Sequence, residues 1–182
     1  MNSHRINRAV LTIFVCVSLF FLTGFYSSAQ GLELKSSAFV SGSMIPSLYT
    51  CEGKNISPPL AWSGAPAGTK SFVLICDDPD APILTWVHWV YFNIPAFVTS
   101  LPEALSKTEK PVQGGIHGKS SFGDFGYGGP CPPWGTHRYF FKLYALDTML
   151  TIPSGVKKKD VLKAMEKHVL SQTELIGKYK KK

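Results

Sequence analysis

Charged residues are scarce in this chain. Asp, Glu, Lys and Arg make up 17% of its 182 residues, against about 25% in an average globular protein. Hydrophobic residues make up 45%, so the low charge does not indicate a disordered chain. The sequence has no internal repeat and only one long apolar run, at the N-terminus. These features exclude a membrane protein with several spans, and the length favours one domain.

The single apolar run has the pattern of a secretory signal. Two arginines precede an uncharged stretch from Ala9 to Gly24, and the small residues Ser27, Ser28 and Ala29 come shortly after it. The stretch is shorter than a membrane span of about 20 residues. We therefore predict a signal peptide over residues 1–29, a mature domain over residues 30–182, and a periplasmic or secreted protein. An uncleaved N-terminal membrane anchor is the alternative.

Basic charge is concentrated at the C-terminus, where residues 157–182 hold nine Lys and three acidic residues. A solvated helix face and tail explains this pattern better than nucleic-acid binding, which needs basic and aromatic residues spread over one surface. We therefore predict no nucleic-acid partner. The end of the tail, Lys180–Lys182, supports only a weak contact with an anionic membrane surface.

Cysteine use is sparse and fits export. Cys76 lies in an apolar run and is typical of a buried small hydrophobic residue. Cys51 and Cys131 lie in loops rich in Gly and Pro, and in an oxidising compartment they can form a disulfide. We favour this disulfide over two free thiols.

The pattern of apolar runs and turn residues predicts a mostly β fold with a C-terminal helix. Residues 71–76, 86–94 and 138–146 are rich in Val, Ile, Phe, Tyr and Trp, which favours strands. The last two are nearly continuous apolar runs, which predicts strands that are buried on both faces. Apolar residues at helical spacing predict a helix from Lys158 to Ile176. A second, short helical piece is predicted around Pro102–Leu105.

The segment 111–135 is unusual in composition, because it holds eight of the 16 Gly and four of the 13 Pro of the chain. Loops of this length without secondary structure are uncommon in compact domains and are usually functional. Glycine allows the backbone to approach a ligand closely. The aromatic residues Phe122, Phe125, Tyr127 and Trp134 argue against a merely mobile surface loop.

Two carboxylates and two histidines are the candidate polar groups. Asp78 and Asp80 bracket a proline at the exit of a predicted strand, where turn chemistry alone would explain them. His88 lies inside an apolar strand, and alone it would be a hydrogen-bonded core residue. His137 directly follows the glycine-rich loop. Two further histidines have no supporting pattern and are expected to be solvated: His117 and His168.

Three separated motifs combine these residues in one order along the chain. They are Cys76–Pro82, His88–Val90 and Gly126–Pro133, and the last leads into His137–Tyr139. With them, residues 34–179 of the chain resemble the phosphatidylethanolamine-binding protein family. The compact form, with its Cys-Pro-Pro loop, is similar to the bacterial Raf kinase inhibitor-like branch.

The resemblance implies an antiparallel β-sheet sandwich with a C-terminal α-helix and a small pocket for phosphate-type anions. A carboxylate would orient a histidine or meet an ammonium group, while loop N–H groups and His137 would hold a phosphate. Trp134, after the double proline, departs from the family pattern and predicts a bulkier rim. The site residues that the resemblance implies are Asp78, Asp80, His88, Gly129, Pro130, His137 and Tyr139.

We predict a non-catalytic binder of phosphate-type anions or phospholipid headgroups, with no cofactor and no metal. No Gly-x-Ser-x-Gly motif supplies an activated nucleophile. By analogy with the family the protein target is a kinase or a protease, so a kinase inhibitor-like regulator and a secreted enzyme inhibitor acting by its surface both remain open, as does a homodimer. The weakest alternative is a metal-dependent hydrolase with His88, His137 and either Asp78 or Asp80 as ligands.

Overall fold

A computed structural model describes residues 31–182, and the predicted signal peptide lies outside the described residues. These residues form two antiparallel sheets and one α-helix. The first sheet has the strand order β1-β2-β5, and the second has the order β6-β4-β3-β7-β8. The elements are β1 (Glu33–Lys35), β2 (Leu60–Ser63), β3 (Ser71–Asp78), β4 (Trp86–Pro95), β5 (Ser100–Leu101), β6 (Ile116–His117), β7 (Thr136–Leu146), α1 (Lys158–Met165) and β8 (Val169–Lys180).

The middle strand β3 is buried along its whole length because both faces of the larger sheet are covered. Phe72, Leu74 and Cys76 face the smaller sheet and join the larger apolar cluster. Val73 and Ile75 face the other way and pack in a second cluster with residues of α1. A strand covered on both faces has a continuous apolar sequence, and this pattern correctly identified β4. β7 was expected to be buried on both faces as well, but its buried residues alternate with exposed and half-buried ones over most of its length.

A β-bulge in β4 places two consecutive side chains on the same face. Cys76 pairs with Trp89, and the next residue, Asp77, pairs with Val87, so that His88 is an extra residue in the ladder. Such an insertion interrupts the alternation of side chains. His88 and Trp89 therefore both lie on the side of the smaller sheet, where His88 contacts Tyr139 of β7 at a ring-centroid distance of 5.1 Å.

The prediction of a mostly β fold with two antiparallel sheets is confirmed, and the three predicted strands are β3, β4 and β7. The predicted helix from Lys158 to Ile176 is wrong in its second half, because the helix ends at Met165 and residues 169–180 form β8. Gly177 explains part of the difference. A Cβ atom there would lie 2.4 Å from Ile45 Cγ1, so the strand passes too close to its neighbour for any side chain.

Two smaller expectations also differ from the structure. Residues 102–105 form a turn rather than a helical piece. The Gly/Pro-rich segment 111–135 contains the short strand β6, which pairs with β4. Within residues 31–182 the structure has no helix that is long and apolar enough to cross a membrane.

Candidate functional site

A small cavity of about 230 Å³ lies where β3 ends and where β4 and β7 begin. Antiparallel pairing brings these three chain positions to one end of the larger sheet. Four of the predicted site residues meet there. The cavity is lined by Asp78, Ala81, Pro82, Trp86, His88, Phe122, Cys131, Pro132, Pro133, His137 and Tyr139.

Asp78 orients His137 in this cavity. The ring Nδ1 of His137 lies 2.7 Å from Asp78 Oδ2, and both side chains are almost fully buried. The second carboxylate oxygen of Asp78 accepts the backbone N–H of Asp80 at 2.8 Å. Both oxygens of Asp78 are therefore used inside the protein, and the His137 Nε2 atom is left for a ligand. A proton on Nε2 would be balanced by the Asp78 carboxylate, and the ring would then donate to an anion.

His88 is held as a neutral acceptor. Its Nδ1 lies 2.7 Å from the carbonyl oxygen of Gly128, and because a carbonyl only accepts, the proton is on Nδ1. Burial lowers the pKa of His88, although the Gly128 carbonyl opposes this shift. In the neutral ring Nε2 carries a lone pair, so His88 offers an acceptor to a ligand N–H or O–H group.

Tyr139 supplies a buried donor without a well-placed partner. Its hydroxyl makes no hydrogen bond of normal geometry among residues 31–182, although buried polar groups are nearly always paired. The Asp78 carboxylate is close enough to act only as a weak acceptor. Burial raises the pKa of Tyr139 and the nearby Asp78 carboxylate raises it further, so the phenol keeps its proton. The hydroxyl is therefore ready to donate to a group that enters the cavity.

Asp80 does not line the cavity, in contrast to its predicted place in an acidic pair. It accepts three hydrogen bonds from Arg138, one from the backbone N–H and two from the guanidinium group, at 2.7 to 2.9 Å. The hydrogen bonds from the guanidinium lower the pKa of Asp80 to about 2. Asp80 thus fixes the loop after β3 to the start of β7, next to His137, and its carboxylate is occupied by Arg138.

The glycine-rich loop contributes differently from what was expected. The N–H of Gly129 donates to Asn55 Oδ1 at 2.6 Å, so it is not free to hold a phosphate. Pro130 is buried outside the cavity wall, and its carbonyl oxygen accepts the N–H of Cys51 at 3.1 Å. The parts of the segment 111–135 that reach the cavity are Phe122 and Cys131–Pro133.

The predicted disulfide is present in the structure. Cys51 and Cys131 are bonded, with their Cα atoms 5.4 Å apart and 80 residues apart in sequence. The bond ties the Cys-Pro-Pro wall of the cavity to the loop before β2. Cys76 is free and buried, as its apolar neighbours predicted.

Sequence reasoning missed two aromatic residues of the cavity. Trp86 and Phe122 both line it, and their rings meet edge to face at 5.4 Å. Trp86 is the first residue of β4, and this place next to the predicted site could have identified it. Phe122 comes from a turn whose position depends on tertiary contacts. Trp134, which was expected at the rim, is 67% exposed and does not line the cavity.

The other two histidines lie away from the cavity. The prediction that His117 is solvated is wrong, because it is fully buried and its Nδ1 donates to the Thr108 carbonyl oxygen at 2.7 Å. His168 is partly exposed and pairs with Asp147. Among residues 31–182, no three His, Cys, Asp or Glu side chains come together as a metal site requires, so the hydrolase alternative gains no support from the geometry.

The opposite face of the sheet carries a second buried carboxylate at the same level. Asp77 is 1% exposed and contacts the ammonium groups of Lys142, at 3.3 Å, and of Lys158 in α1. These contacts attach the helix to the sheet. Asp77 is the sequence neighbour of the cavity residue Asp78, but its contacts with the two lysines lie on the other side of β3.

Comparison with known proteins gives one consistent result. Residues 35–180 match the family model described as phosphatidylethanolamine-binding protein. A UPF0098 protein of Methanothermobacter thermautotrophicus is 53% identical over 82% of this chain and 99% of its own. A UPF0098 protein of Aquifex aeolicus is 49% identical over 82% of this chain and 89% of its own.

Two solved structures have the same fold. A phosphatidylethanolamine-binding protein homologue of Chlamydia trachomatis superposes with a TM-score of 0.78 at 39% identity, covering 84% of this chain and 99% of its own. Escherichia coli YbcL, described as a member of the mammalian family, has a TM-score of 0.77 at 36% identity, with coverage of 84% and 100%.

Proposed function

Because the chain belongs to the phosphatidylethanolamine-binding protein family, we propose that it is a non-catalytic binder of phosphate-type anions or phospholipid headgroups at the cavity between Asp78, His88, His137 and Tyr139. The observation that carries the proposal is the Tyr139 hydroxyl, which is buried in the wall of a cavity and makes no hydrogen bond of normal geometry within the described part of the chain. An unsatisfied buried hydroxyl destabilises a protein unless a ligand or water completes it.

The polar atoms of the cavity suit a ligand that carries a negative group and a positive group. Tyr139 donates, and a His137 ring that carries a proton on Nε2 would donate from there, with its charge balanced by Asp78. Neutral His88 accepts from Nε2. A phosphate oxygen fits the two donors, and an ammonium group fits the acceptor. Phosphoethanolamine combines both groups in a molecule small enough for this cavity.

Calorimetric titration with phosphoethanolamine tests the proposal. We expect saturable binding with a dissociation constant on the order of μM to mM, and no binding to the His88→Ala/His137→Ala variant. Tyr139→Phe should weaken binding by about tenfold, the value of one hydrogen bond of about 1.4 kcal/mol, without lowering stability. Tyr144→Phe, a half-buried tyrosine outside the cavity, is the matched control.

A folded wild-type protein that binds no phosphoethanolamine would overturn the proposed ligand. Equal losses in Tyr139→Phe and Tyr144→Phe would contradict the role of the cavity. Thermal unfolding of every variant checks that the fold is intact.

Export completes the proposal. Residues 1–29 have the composition of a signal peptide, and a disulfide favours an oxidising compartment. We therefore place the mature domain in the periplasm or outside the cell. The mass of the protein recovered from the cell envelope checks this, since cleavage after Ala29 removes 29 residues, whereas an uncleaved anchor keeps them.

A second candidate function is inhibition of an enzyme by the protein surface. It is favoured by the exposed apolar residues around the cavity, where Ile83 is 91% exposed, Leu84 76% and Trp134 67%. Such clusters often mark protein or membrane contacts. Capture of a kinase or protease by the wild type and not by Ile83→Ser/Leu84→Ser would support it. Phe97→Ser, with an 85% exposed side chain in the loop at the other end of β4, is the control.

Two weaker contacts belong to the same proposal. Lys180–Lys182 would touch an anionic membrane surface, and sedimentation with phosphatidylglycerol vesicles should detect this at low salt only. A homodimer would appear in analytical ultracentrifugation as a mass twice that of the chain.

A further inference from the structure

Phe122 separates the cavity described above from a larger neighbour. The second cavity has a volume of about 530 Å³ and shares only Phe122 and Cys131 with the first. Cys131 is fixed by its disulfide, so the ring of Phe122 is the movable part of the boundary. The position of the Phe122 side chain therefore decides whether a ligand can pass from the first cavity into the second.

The ring of Phe122 is held by edge contacts rather than by enclosure. It lies edge-on to Trp86 at 5.4 Å and to His88 at 5.5 Å, and 47% of the residue is exposed. It sits in a tight turn in which the N–H of Gly123 donates to the carbonyl of Ser120. Since solvent covers much of the ring, it can rotate aside without a change in the backbone.

Gly128 leaves the space in which the ring rests. A Cβ atom at this position would lie 2.5 Å from Phe122 Cε2, so any other residue would push the ring away. The same glycine holds His88 through its carbonyl oxygen. The acceptor of the first cavity and the divider between the two cavities are thus positioned by a single residue.

The two cavities differ in chemistry. Rings and proline carbons form much of the first wall, so hydroxyl groups of a bulky ligand would find few partners there. The second wall carries polar and basic side chains. Lys119 places its ammonium group 3.8 Å from the centre of the Phe125 ring, and both residues line this cavity together with Lys107, Ser120 and Asp124.

We propose that Phe122 is the residue that determines ligand size at the anion pocket, and that the cavity behind it is a subsite for the polar substituent of a phosphodiester. The ring closes the pocket for a phosphomonoester such as phosphoethanolamine and turns aside for a phosphodiester. The hydroxyl groups of the second substituent then reach the lysines and Ser120. This inference rests on the proposed function, since the phosphate occupies the first cavity.

Calorimetry with phosphoethanolamine and with glycerophosphoethanolamine tests this inference. In the Phe122→Ala variant we expect the affinity for glycerophosphoethanolamine to rise by about tenfold, in the range typical of a pocket contact. Because Phe122 also lines the first cavity, the affinity for phosphoethanolamine is measured as the reference, and the ratio of the diester affinity to the monoester affinity should rise by about the same tenfold factor. The diester affinity of Phe122→Leu should lie between those of the wild type and Phe122→Ala. Phe97→Ala, which changes an exposed aromatic residue at the other end of β4, should alter the affinity for neither ligand.

A further variant tests the second cavity itself. Adding Lys119→Met to Phe122→Ala should remove the gain for the diester and leave the monoester unaffected. Equal changes for both ligands in Phe122→Ala, or no change for either, would overturn the inference while the proposed function stands. If neither ligand binds any of the folded proteins, both the proposed function and this inference are wrong.

Discussion

Two neighbouring carboxylates have different partners on the two faces of the larger sheet. Asp77 and Asp78 are consecutive at the end of β3, and both are almost completely buried. On the helix side, Asp77 meets two lysines, which also anchor α1. On the cavity side, Asp78 meets one histidine whose second nitrogen remains open.

The comparison separates a charge that holds two elements of the fold together from a charge that borders a cavity. Both of the ammonium groups at Asp77 pair with its carboxylate inside the protein. On the cavity side, the Tyr139 hydroxyl makes no hydrogen bond of normal geometry to any residue from 31 to 182. The Asp77 Oδ1 atom also lacks a hydrogen bond of normal geometry, but it lies 3.3 Å from the Lys142 ammonium group. The Tyr139 hydroxyl instead borders a cavity, which is why we propose that the cavity face meets the ligand.

The largest expected effect comes from the disulfide between Cys51 and Cys131, which lies on the cavity side of the larger sheet. Cys51→Ala/Cys131→Ala should lower the free energy of unfolding by about 4 kcal/mol, because the bond closes a long loop in the unfolded chain. Urea denaturation measures this loss. Reduced wild type should match the variant, and an unchanged midpoint would contradict the role of the bond.

The helix side should respond strongly to loss of its ion pairs. Lys158→Met should destabilise the protein by about 2 kcal/mol, because the buried Asp77 loses a charged partner. Asp77→Leu/Lys158→Met should recover most of this loss, since it removes the buried charge as well. Phosphoethanolamine affinity should be unchanged in both, and a parallel loss of binding would show that the two faces are coupled.

The pH dependence of stability should come in part from His88. Burial lowers its pKa in the folded state, so the unfolded chain binds the proton first as the pH falls below about 6.5. Stability is full above that pH and is lost as the pH falls toward the folded pKa, by at most about 1.4 kcal/mol per pH unit. His88→Gln should reduce this slope by the contribution of one proton. An unaltered slope would contradict the buried neutral ring.

The smallest effect is expected at the exposed pair beside the cavity. Arg138→Gln should raise the pKa of Asp80 from about 2 toward the ordinary value of about 3.9, as an NMR titration would show. Binding should change little, because Asp80 lies outside the cavity. A large loss of affinity would restore Asp80 to the site.

Much of the fold could be predicted from local pattern, because strands buried on both faces have continuous apolar sequences. The end of the chain could not. Val169 and Ile176 continue a spacing that suits a helix, whereas Gly177 and the alternation around it suit a strand packed on Ile45. This long-range contact decides the outcome, and the local spacing does not contain it.

The candidate site was predictable where side chains follow strand ends. Asp78 is the last residue of β3, His137 and Tyr139 lie near the start of β7, and the structure brings them together. The position of His88 on this face depends on a bulge that no alternation rule predicts. The backbone N–H of Gly129 was expected at the ligand and is occupied by Asn55, because loop hydrogen bonds depend on partners far away in sequence. The ligand-binding roles of Asp78, His88, His137 and Tyr139 stay a prediction.

The disulfide between Cys51 and Cys131 turns part of the chain into a covalent ring that contains β2 to β6. The exposed turn around Phe122 lies inside this ring, whereas β7, α1 and β8 lie outside it. A protease that cuts the turn would therefore not separate the two pieces, since each keeps one half of the cystine. On a gel the cut protein would run as one species without reductant and as two with it. Residence in a protease-rich environment would then leave the domain nicked but whole.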